Sequence, residues 1–167
     1  MKDQDVINNF GKEWSRFRQV NELSNEELER YYQNYFNIFP EEFFSKEGLI
    51  GFDMGCGSGR WASFIAPKVE KLLCVDPSEE ALEVAKENLS SFINCKYVCC
   101  TAENFSIPDQ SMDFGYSLGV LHHVSNTEES LINCVKKLKK NAPFLLYLYY
   151  QLDNRSFFYK FVWKLSD

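Results

Sequence analysis

The residues with the most distinctive spacing are an acid and three alternating glycines, Asp53-Met-Gly-Cys-Gly-Ser-Gly59. Glycine adopts positive φ angles at little cost and has no side chain to hold a ligand away from the backbone. A turn of this kind, placed between a strand-like apolar run and a helix-like run, predicts a ligand site built from main chain. We expect the ligand to be nucleotide-like.

The spacing of the glycines narrows the class of ligand. A phosphate-binding loop requires Gly-Lys-Ser/Thr, which this chain lacks, and the dinucleotide fingerprint is Gly-x-Gly-x-x-Gly. The order here is Gly55-x-Gly57-x-Gly59, with Asp53 in front of it. Because a carboxylate repels pyrophosphate, we favour a ligand with an adenosine and a positive charge. A nicotinamide-dependent dehydrogenase is the least favoured alternative.

A second acid, Asp76, ends the next apolar run, Leu72-Leu-Cys-Val-Asp. The carboxyl ends of neighbouring parallel strands open at one edge of a sheet, and a carboxylate there can accept hydrogen bonds from two ribose hydroxyls. We therefore predict that Asp76 binds a ribose. The alternative is that Asp76 caps the helix that begins after Pro77-Ser78.

The elements that position these acids alternate along the chain. Strands are predicted over residues 49–54, 71–76, 95–100, 112–118 and 143–150, and helices over 60–66, 78–89 and 126–139. Ser78 is the predicted cap of the second helix, and Asn126 or Thr127 that of the third. Such alternation predicts an α/β fold, a doubly wound and mostly parallel sheet with helices on both faces.

The two ends of the chain are predicted to be helical and attached to one compact domain. Residues 1–47 form an N-terminal helical cap, residues 48–167 form the core, and a further helix lies within 155–165. Aromatic residues recur at helical spacing in the cap, which favours burial in the core. The alternative is an apolar lid over the ligand, formed by Trp14, Phe17, Tyr31, Tyr32, Tyr35 and Phe36.

Four motifs in this order resemble those of the class I S-adenosylmethionine-dependent methyltransferases, over about residues 48 to 150. They are the glycine turn at 53–59, Val75-Asp-Pro-Ser, Ala102-Glu-Asn, and the run from Ser111 to His123. The resemblance implies a Rossmann-like fold, with S-adenosylmethionine as cofactor and S-adenosylhomocysteine as product. The Leu-His-His ending is similar to that of ubiquinone and menaquinone biosynthesis enzymes, which implies a small, quinone-like or lipid-like acceptor.

The same resemblance implies a set of cofactor-binding residues. The glycines would line the methionine and ribose groups, Asp53 would support their turn, and Asp76 would hold the ribose hydroxyls. Ala102 and Glu103 would lie at the adenine edge, although Glu103 can also be read as a solvated loop acid. The full set is Asp53, Gly55, Cys56, Gly57, Gly59, Asp76, Pro77, Ala102, Glu103 and Leu118.

Methyl transfer from a sulfonium needs alignment of donor and acceptor more than a dedicated catalytic group. An oxygen or acidic carbon acceptor would also need a general base, and His122 and His123 are the two histidines of the chain. They are the candidate catalytic residues. The alternative is that His122 packs against the start of a helix and that His123 is solvated.

Composition limits the partners. The net charge of −6 disfavours nucleic acid, and we interpret Lys136-Lys-Leu-Lys-Lys140 as the basic end of a helix. The six cysteines lack zinc-finger spacing and are predicted to be buried thiols, so no metal is expected. The longest apolar run is far shorter than the ~20 residues of a membrane helix. We predict a cytoplasmic protein.

The chain ends at Asp167, before the antiparallel hairpin that completes the seven-stranded sheet of the family. We therefore expect those C-terminal strands to be missing. A second interpretation follows, in which the chain is a cofactor-binding module or a truncated methyltransferase without its own turnover. A second copy of the chain could cover the edge of the fifth strand, which would give a homodimer.

Overall fold

The computed structural model describes residues 24–40 and 42–149. Its centre is a sheet of five parallel strands in the order β3-β2-β1-β4-β5. The strands are β1 (Ile50–Met54), β2 (Lys71–Asp76), β3 (Cys95–Cys99), β4 (Phe114–Leu118) and β5 (Phe144–Tyr147). The order reverses between β1 and β4, which creates a crevice at their carboxyl ends. The predicted doubly wound fold is confirmed, with five strands in the described part of the chain.

Four α-helices accompany this sheet in the described residues: α1 (Asn25–Phe36), α2 (Ala62–Ile65), α3 (Glu79–Asn88) and α4 (Thr127–Lys137). Two short 3-10 helices cover Phe43–Ser45 and Ala66–Lys68. The predicted cap Ser78 accepts a hydrogen bond from the Ala81 N–H. Of the two candidate caps of α4, Asn126 is the one that accepts from the backbone, at Glu129.

The predicted elements were too long at several ends. The segment expected to open β4 turns away, because the Met112 N–H donates to the Lys137 carbonyl and the Lys139 N–H donates to the Met112 carbonyl. The fifth strand ends at Tyr147 rather than at residue 150. The helix predicted over 60–66 begins two residues later and gives way to the 3-10 helix that contains Pro67, whose ring cannot continue an α-helix.

Apolar side chains fill both faces of the sheet. One cluster joins α1, α2 and α3 to the first face, and the other joins α4 and the segment between β3 and β4 to the second. Tyr32 and Phe36 of α1 are buried in the first cluster, as the core interpretation of the aromatic stripe predicted. Tyr31 is 41% exposed, and Trp14 and Phe17 lie outside the described residues.

The predicted burial of the cysteines is confirmed for four of them, Cys56, Cys74, Cys95 and Cys134. The prediction is wrong for Cys99, which is exposed because it ends β3, the strand at one edge of the sheet, and Cys100, directly after it, is only partly buried. In the part of the chain that the structure describes, no helix is long and apolar enough to span a bilayer. The predicted boundary between residues 47 and 48 and the helix over 155–165 stay predictions, and the second lies outside the described residues.

Candidate functional site

A cavity opens at the carboxyl ends of β1, β2 and β4, where the strand order reverses. Its walls come from the turn after β1, the end of β2, and the segments that follow β3 and β4. Eight of the predicted site residues line it: Gly55, Cys56, Asp76, Pro77, Ala102, Glu103, Leu118 and His123. Four others, Asp53, Gly57, Gly59 and His122, lie outside the lining.

The glycine turn is held against the end of β2 by main-chain hydrogen bonds. The N–H groups of Gly55 and Cys56 donate to the Val75 carbonyl over 2.7 and 3.0 Å. The Gly57 N–H donates to Oδ2 of Asp76 over 2.9 Å. Because these bonds join β1 and β2 at the cavity floor, the two sequence motifs form one structural unit.

Asp76 both supports this turn and faces the cavity. Its Oδ1 accepts from the Ser78 N–H over 2.9 Å, so the carboxylate also binds the backbone at the start of α3. The side chain is buried, which raises its pKa, while the N–H groups of Ser78 and Gly57 act in the opposite direction. Each oxygen retains a second lone pair for a ligand hydroxyl. Ser78 rather than Asp76 is the N-cap of α3, so the capping interpretation of Asp76 is wrong, and its ribose role stays a prediction.

The glycines of the turn have different surroundings. Gly55 has a φ of +78°, and a Cβ on it would lie 2.4 Å from Cγ2 of Val120 in the segment after β4. Gly59 also has a φ of +78°, but a Cβ there would lie 2.8 Å from Cδ1 of Leu89, next to α3. The absence of a side chain at Gly59 therefore serves helix packing, whereas Gly55 lets the two cavity walls approach each other.

Asp53 lies beneath the turn rather than in the cavity. Its side chain is 2% exposed, and burial raises its pKa to about 8. Its Oδ2 has no backbone hydrogen-bond partner among the described residues, and the side chain of Tyr116, the residue paired with it on β4, lowers its pKa against the effect of burial. The carboxylate bonded to the turn is therefore that of Asp76, and the support expected from Asp53 is not found in the described contacts.

The segment after β3 is fixed by α4. The Asn133 side-chain amide lies 2.7, 3.2 and 3.2 Å from the carbonyls of Ala102, Glu103 and Phe105. The Ser130 hydroxyl lies 2.6 Å from Oε1 of Glu103, so this acid is held by α4 and is not simply solvated. Sequence reasoning missed Ser130 and Asn133. The only signal for them was that they are polar residues on a face of α4 that also carries buried apolar residues.

We expect Asn133→Ala to weaken binding of S-adenosylhomocysteine about tenfold, because the 102–105 wall loses its donor to three carbonyls. Calorimetric titration measures this affinity. Asn94→Ala is the matched control, since the Asn94 amide also donates to two carbonyls, 2.8 Å away, at the opposite end of the sheet. Equal affinities in the two variants would contradict the role of Asn133.

The two histidines occupy the segment between β4 and α4. Their ring centroids are 3.9 Å apart with the ring planes tilted by 46°, and the ring of His122 also contacts that of Tyr149, with the centroids 4.8 Å apart. Burial lowers the pKa of both histidines, and His123 lowers that of His122 further. Both are therefore neutral at pH 7. His123 lines the cavity, whereas both ring nitrogens of His122 are buried without a partner in the described residues.

The chemistry of the lining fits S-adenosylmethionine. Asp76 and Glu103 supply carboxylates on a mostly apolar cavity, and Arg60 supplies a cation at another part of its wall. A pyrophosphate would meet two acids, while a sulfonium, a ribose diol and an adenine find complementary groups. Residues 24–40 and 42–149 contain no group of three His, Cys, Asp or Glu placed to hold a metal ion.

A doubly wound sheet with an acid-supported glycine turn at its switch point defines a nucleoside-binding class of protein. Residues 52–146 match the methyltransferase domain family, which is more than half of the chain. The chain therefore belongs to the S-adenosylmethionine-dependent methyltransferases of class I. The resemblance inferred from the four motifs is confirmed.

Three curated relatives illustrate the range of the family. The uncharacterized methyltransferase YcgJ of Bacillus subtilis is 32% identical over 104 residues, 59% of this chain and 40% of its own. A tRNA (carboxymethyluridine(34)-5-O)-methyltransferase of Saccharomyces cerevisiae is 30% identical, over 60% of this chain and 35% of its own. A ubiquinone biosynthesis O-methyltransferase of Coxiella burnetii is 26% identical, over 71% of this chain and 50% of its own.

A solved structure agrees on the fold. Phosphoethanolamine N-methyltransferase 1 of Haemonchus contortus, in complex with phosphoethanolamine and S-adenosylhomocysteine, superposes with a TM-score of 0.65 at 17% identity. The match covers 83% of this chain and 31% of that one. The chain thus spans half or less of the length of the relatives described here.

Proposed function

We propose that this chain transfers a methyl group from S-adenosylmethionine to a small-molecule acceptor. The observation that carries the proposal is the cavity whose floor is the glycine turn bonded to Asp76. Asp76 would hold the ribose, Ala102 and Glu103 the adenine, and Leu118 would flank the cofactor. Pro77 and Cys56 would complete the wall next to the turn, and Gly57 would act through its bond to Asp76.

The sulfonium supplies an activated methyl group and a neutral leaving group. An acceptor atom uses its lone pair to form the new bond to the methyl carbon, while the old carbon–sulfur bond breaks and its electron pair stays on sulfur. The residues of this chain align the acceptor and exclude water, and proximity of this kind supplies several kcal/mol of barrier lowering, up to about 7–11. A proton bound to the acceptor atom must then leave.

We propose His123 as the base that takes this proton when the acceptor is a hydroxyl. It lines the cavity and its lowered pKa keeps it neutral at pH 7. His122 would orient it through the contact between the two tilted rings. The alternative for both residues is that they only pack the segment between β4 and α4.

Replacing His123 with alanine is expected to lower kcat about a hundredfold, the lower range for general base catalysis, and to leave S-adenosylhomocysteine affinity unchanged. The neutral imidazole is the active form, and the pKa of His123 lies below the ordinary histidine value of 6.5. Wild-type kcat/KM should therefore rise with pH along a limb below pH 6.5 and then level off. His122→Ala should retain that limb. A limb that persists in His123→Ala would contradict the assignment.

The nature of the acceptor is supported by charge and by the relatives. The net charge of −6 disfavours a nucleic acid, which has to be neutralised by basic residues, although the yeast relative is named for tRNA. The Coxiella relative is named for ubiquinone biosynthesis, which supports a quinone-like acceptor. A homodimer and a cytoplasmic location stay predictions.

The test is production of S-adenosylhomocysteine from S-adenosylmethionine in the presence of pooled small hydroxylated, amine and thiol acceptors, followed by mass spectrometry. Product that depends on one acceptor supports the proposal. Tight cofactor binding without turnover on any pool would instead favour the alternative, a cofactor-binding module. Turnover on tRNA alone would contradict the small-molecule assignment.

A further inference from the structure

A chain of aromatic rings runs beside the cavity and joins four separate elements. Tyr35 of α1 contacts Trp61 at 5.4 Å and Tyr147 at 5.2 Å between ring centroids. Tyr147 contacts Tyr149 at 5.3 Å, and Tyr149 contacts His122 at 4.8 Å. All four contacts are edge-to-face. We call these five residues the aromatic rim.

The aromatic rim is continuous with the cofactor cavity. Trp61 belongs to the lining itself. At the other end, the Tyr149 ring covers Gly119, another lining residue: a Cβ built on Gly119 would lie 3.5 Å from Cε2 of Tyr149. A molecule that rests on the rim would therefore reach into the cavity.

The rim leaves much of its aromatic surface uncovered by described residues. Tyr147 is 37% and Tyr149 61% exposed, and Tyr35 and Trp61 are half-buried. Tyrosine and tryptophan offer large, rigid contact faces together with a polar atom. Exposed aromatic surface beside a cavity marks a binding site for a molecule with an apolar, planar body.

The charges around the rim indicate which planar molecule fits. The Arg60 guanidinium lies 5.5 Å from the ring centroid of Trp61. The pKa of Tyr35 is raised by burial and by Tyr147 and Tyr149, while Arg60 acts in the opposite direction; Tyr31 is a smaller influence. A cation, Arg60, therefore acts on the Tyr35 hydroxyl of the rim.

We propose that the aromatic rim binds the methyl acceptor and selects a planar, conjugated molecule that carries an acidic hydroxyl or carboxylate. This inference rests on the proposed function and adds the acceptor class. Aromatic faces also attract cations, but Arg60 already lies over Trp61 and would repel an aliphatic ammonium. An anionic or acidic group would instead be attracted by Arg60, with its ring stacked against the tyrosines.

The test uses protein saturated with S-adenosylhomocysteine and two probes, 3,4-dihydroxybenzoate and choline, titrated by calorimetry. We expect 3,4-dihydroxybenzoate to bind at least tenfold more tightly than choline. Tyr147→Leu and Tyr149→Leu should each weaken it about fivefold to tenfold, by loss of ring contacts, without changing S-adenosylhomocysteine affinity. Tyr97→Leu, on β3 at the opposite edge of the sheet, is the matched control and should change neither affinity.

Arg60→Gln provides a second variant that does not depend on ring packing. It should reduce the preference for 3,4-dihydroxybenzoate over choline, because the cation is gone while the rings remain. The inference is overturned if 3,4-dihydroxybenzoate does not bind, if choline binds as tightly, or if both tyrosine variants bind it like wild type. Failure of S-adenosylhomocysteine itself to bind would contradict the proposed function instead.

Discussion

Asp76→Asn is expected to weaken S-adenosylhomocysteine binding about a hundredfold. The carboxylate accepts the N–H groups of Gly57 and Ser78 through different oxygens, and an amide must direct its own N–H toward one of these donors. The variant therefore loses a charge-assisted hydrogen bond that holds the turn, together with an acceptor for the ribose. Such bonds contribute about 1.5–3 kcal/mol, and ~2.7 kcal/mol corresponds to a hundredfold.

The matched control is Asp113→Asn. The Asp113 carboxylate also binds the backbone of β1, since Oδ2 accepts from the Ile50 N–H over 3.0 Å, but at the end of the strand opposite the cavity. This variant should lose stability and keep its affinity for S-adenosylhomocysteine. If both variants lose affinity in parallel with their loss of stability, the cavity assignment of Asp76 is wrong.

Gly55→Ala is expected to destabilise the protein by about 3 kcal/mol or more and to remove detectable S-adenosylhomocysteine binding. The residue has a φ of +78°, which costs an L-residue roughly 1–2 kcal/mol, and the added Cβ would overlap the Val120 side chain. Overpacking adds typically ~1–3 kcal/mol. Because Val120 belongs to the cavity wall, the overlap is relieved only by moving that wall. Urea unfolding measures the stability.

The double variant Gly55→Ala/Val120→Ala separates the two causes. Truncation of Val120 removes the Cγ atoms that lie 2.4 and 2.5 Å from the added Cβ. It should restore part of the stability and cofactor binding, whereas the cost of the positive φ angle should remain. Val120→Ala alone is the reference. A double variant that is less stable than the sum of the single ones would show that the overlap is not the cause.

Sequence patterns predicted the architecture because it rests on local and periodic signals. Continuous apolar runs marked the buried parallel strands, and Ser78 capped α3 as its side-chain chemistry predicted. The glycine turn and Asp76 lie next to each other because parallel strands place their carboxyl ends at the same edge of the sheet. Strand ends were less predictable, since Met112 pairs with Leu138, directly after α4, and not with the sheet in which its neighbours lie.

The parts of the site that sequence reasoning missed depend on contacts between distant residues. Asn133 binds carbonyls about 30 positions earlier, and nothing in the composition of α4 marks it. Gly59 resembles its neighbour Gly55 in the sequence, yet only the position of α3 shows that it packs against a helix. The contact between Tyr35 and Tyr147 in the aromatic rim joins residues more than a hundred positions apart, and neither helical spacing nor strand alternation could show it.

Asp53 illustrates a further limit of prediction from sequence, namely the charge of a buried acid. In the sequence it precedes the glycines as an apparent ligand acid, but the alternation of β1 directs it into the protein beside Tyr116. Burial then raises its pKa to about 8, which favours the protonated form of the carboxyl. Sequence spacing identified the acid but not its charge, which depends on the depth of its environment.

The most direct test of the account is calorimetric titration of the wild-type chain with S-adenosylhomocysteine, alongside NAD under the same conditions. We predict one S-adenosylhomocysteine bound per chain and no measurable heat from NAD, because Asp76 and Glu103 line a cavity that suits an adenosine without pyrophosphate. A folded chain that binds NAD tightly, or that binds neither molecule, would contradict the central claim.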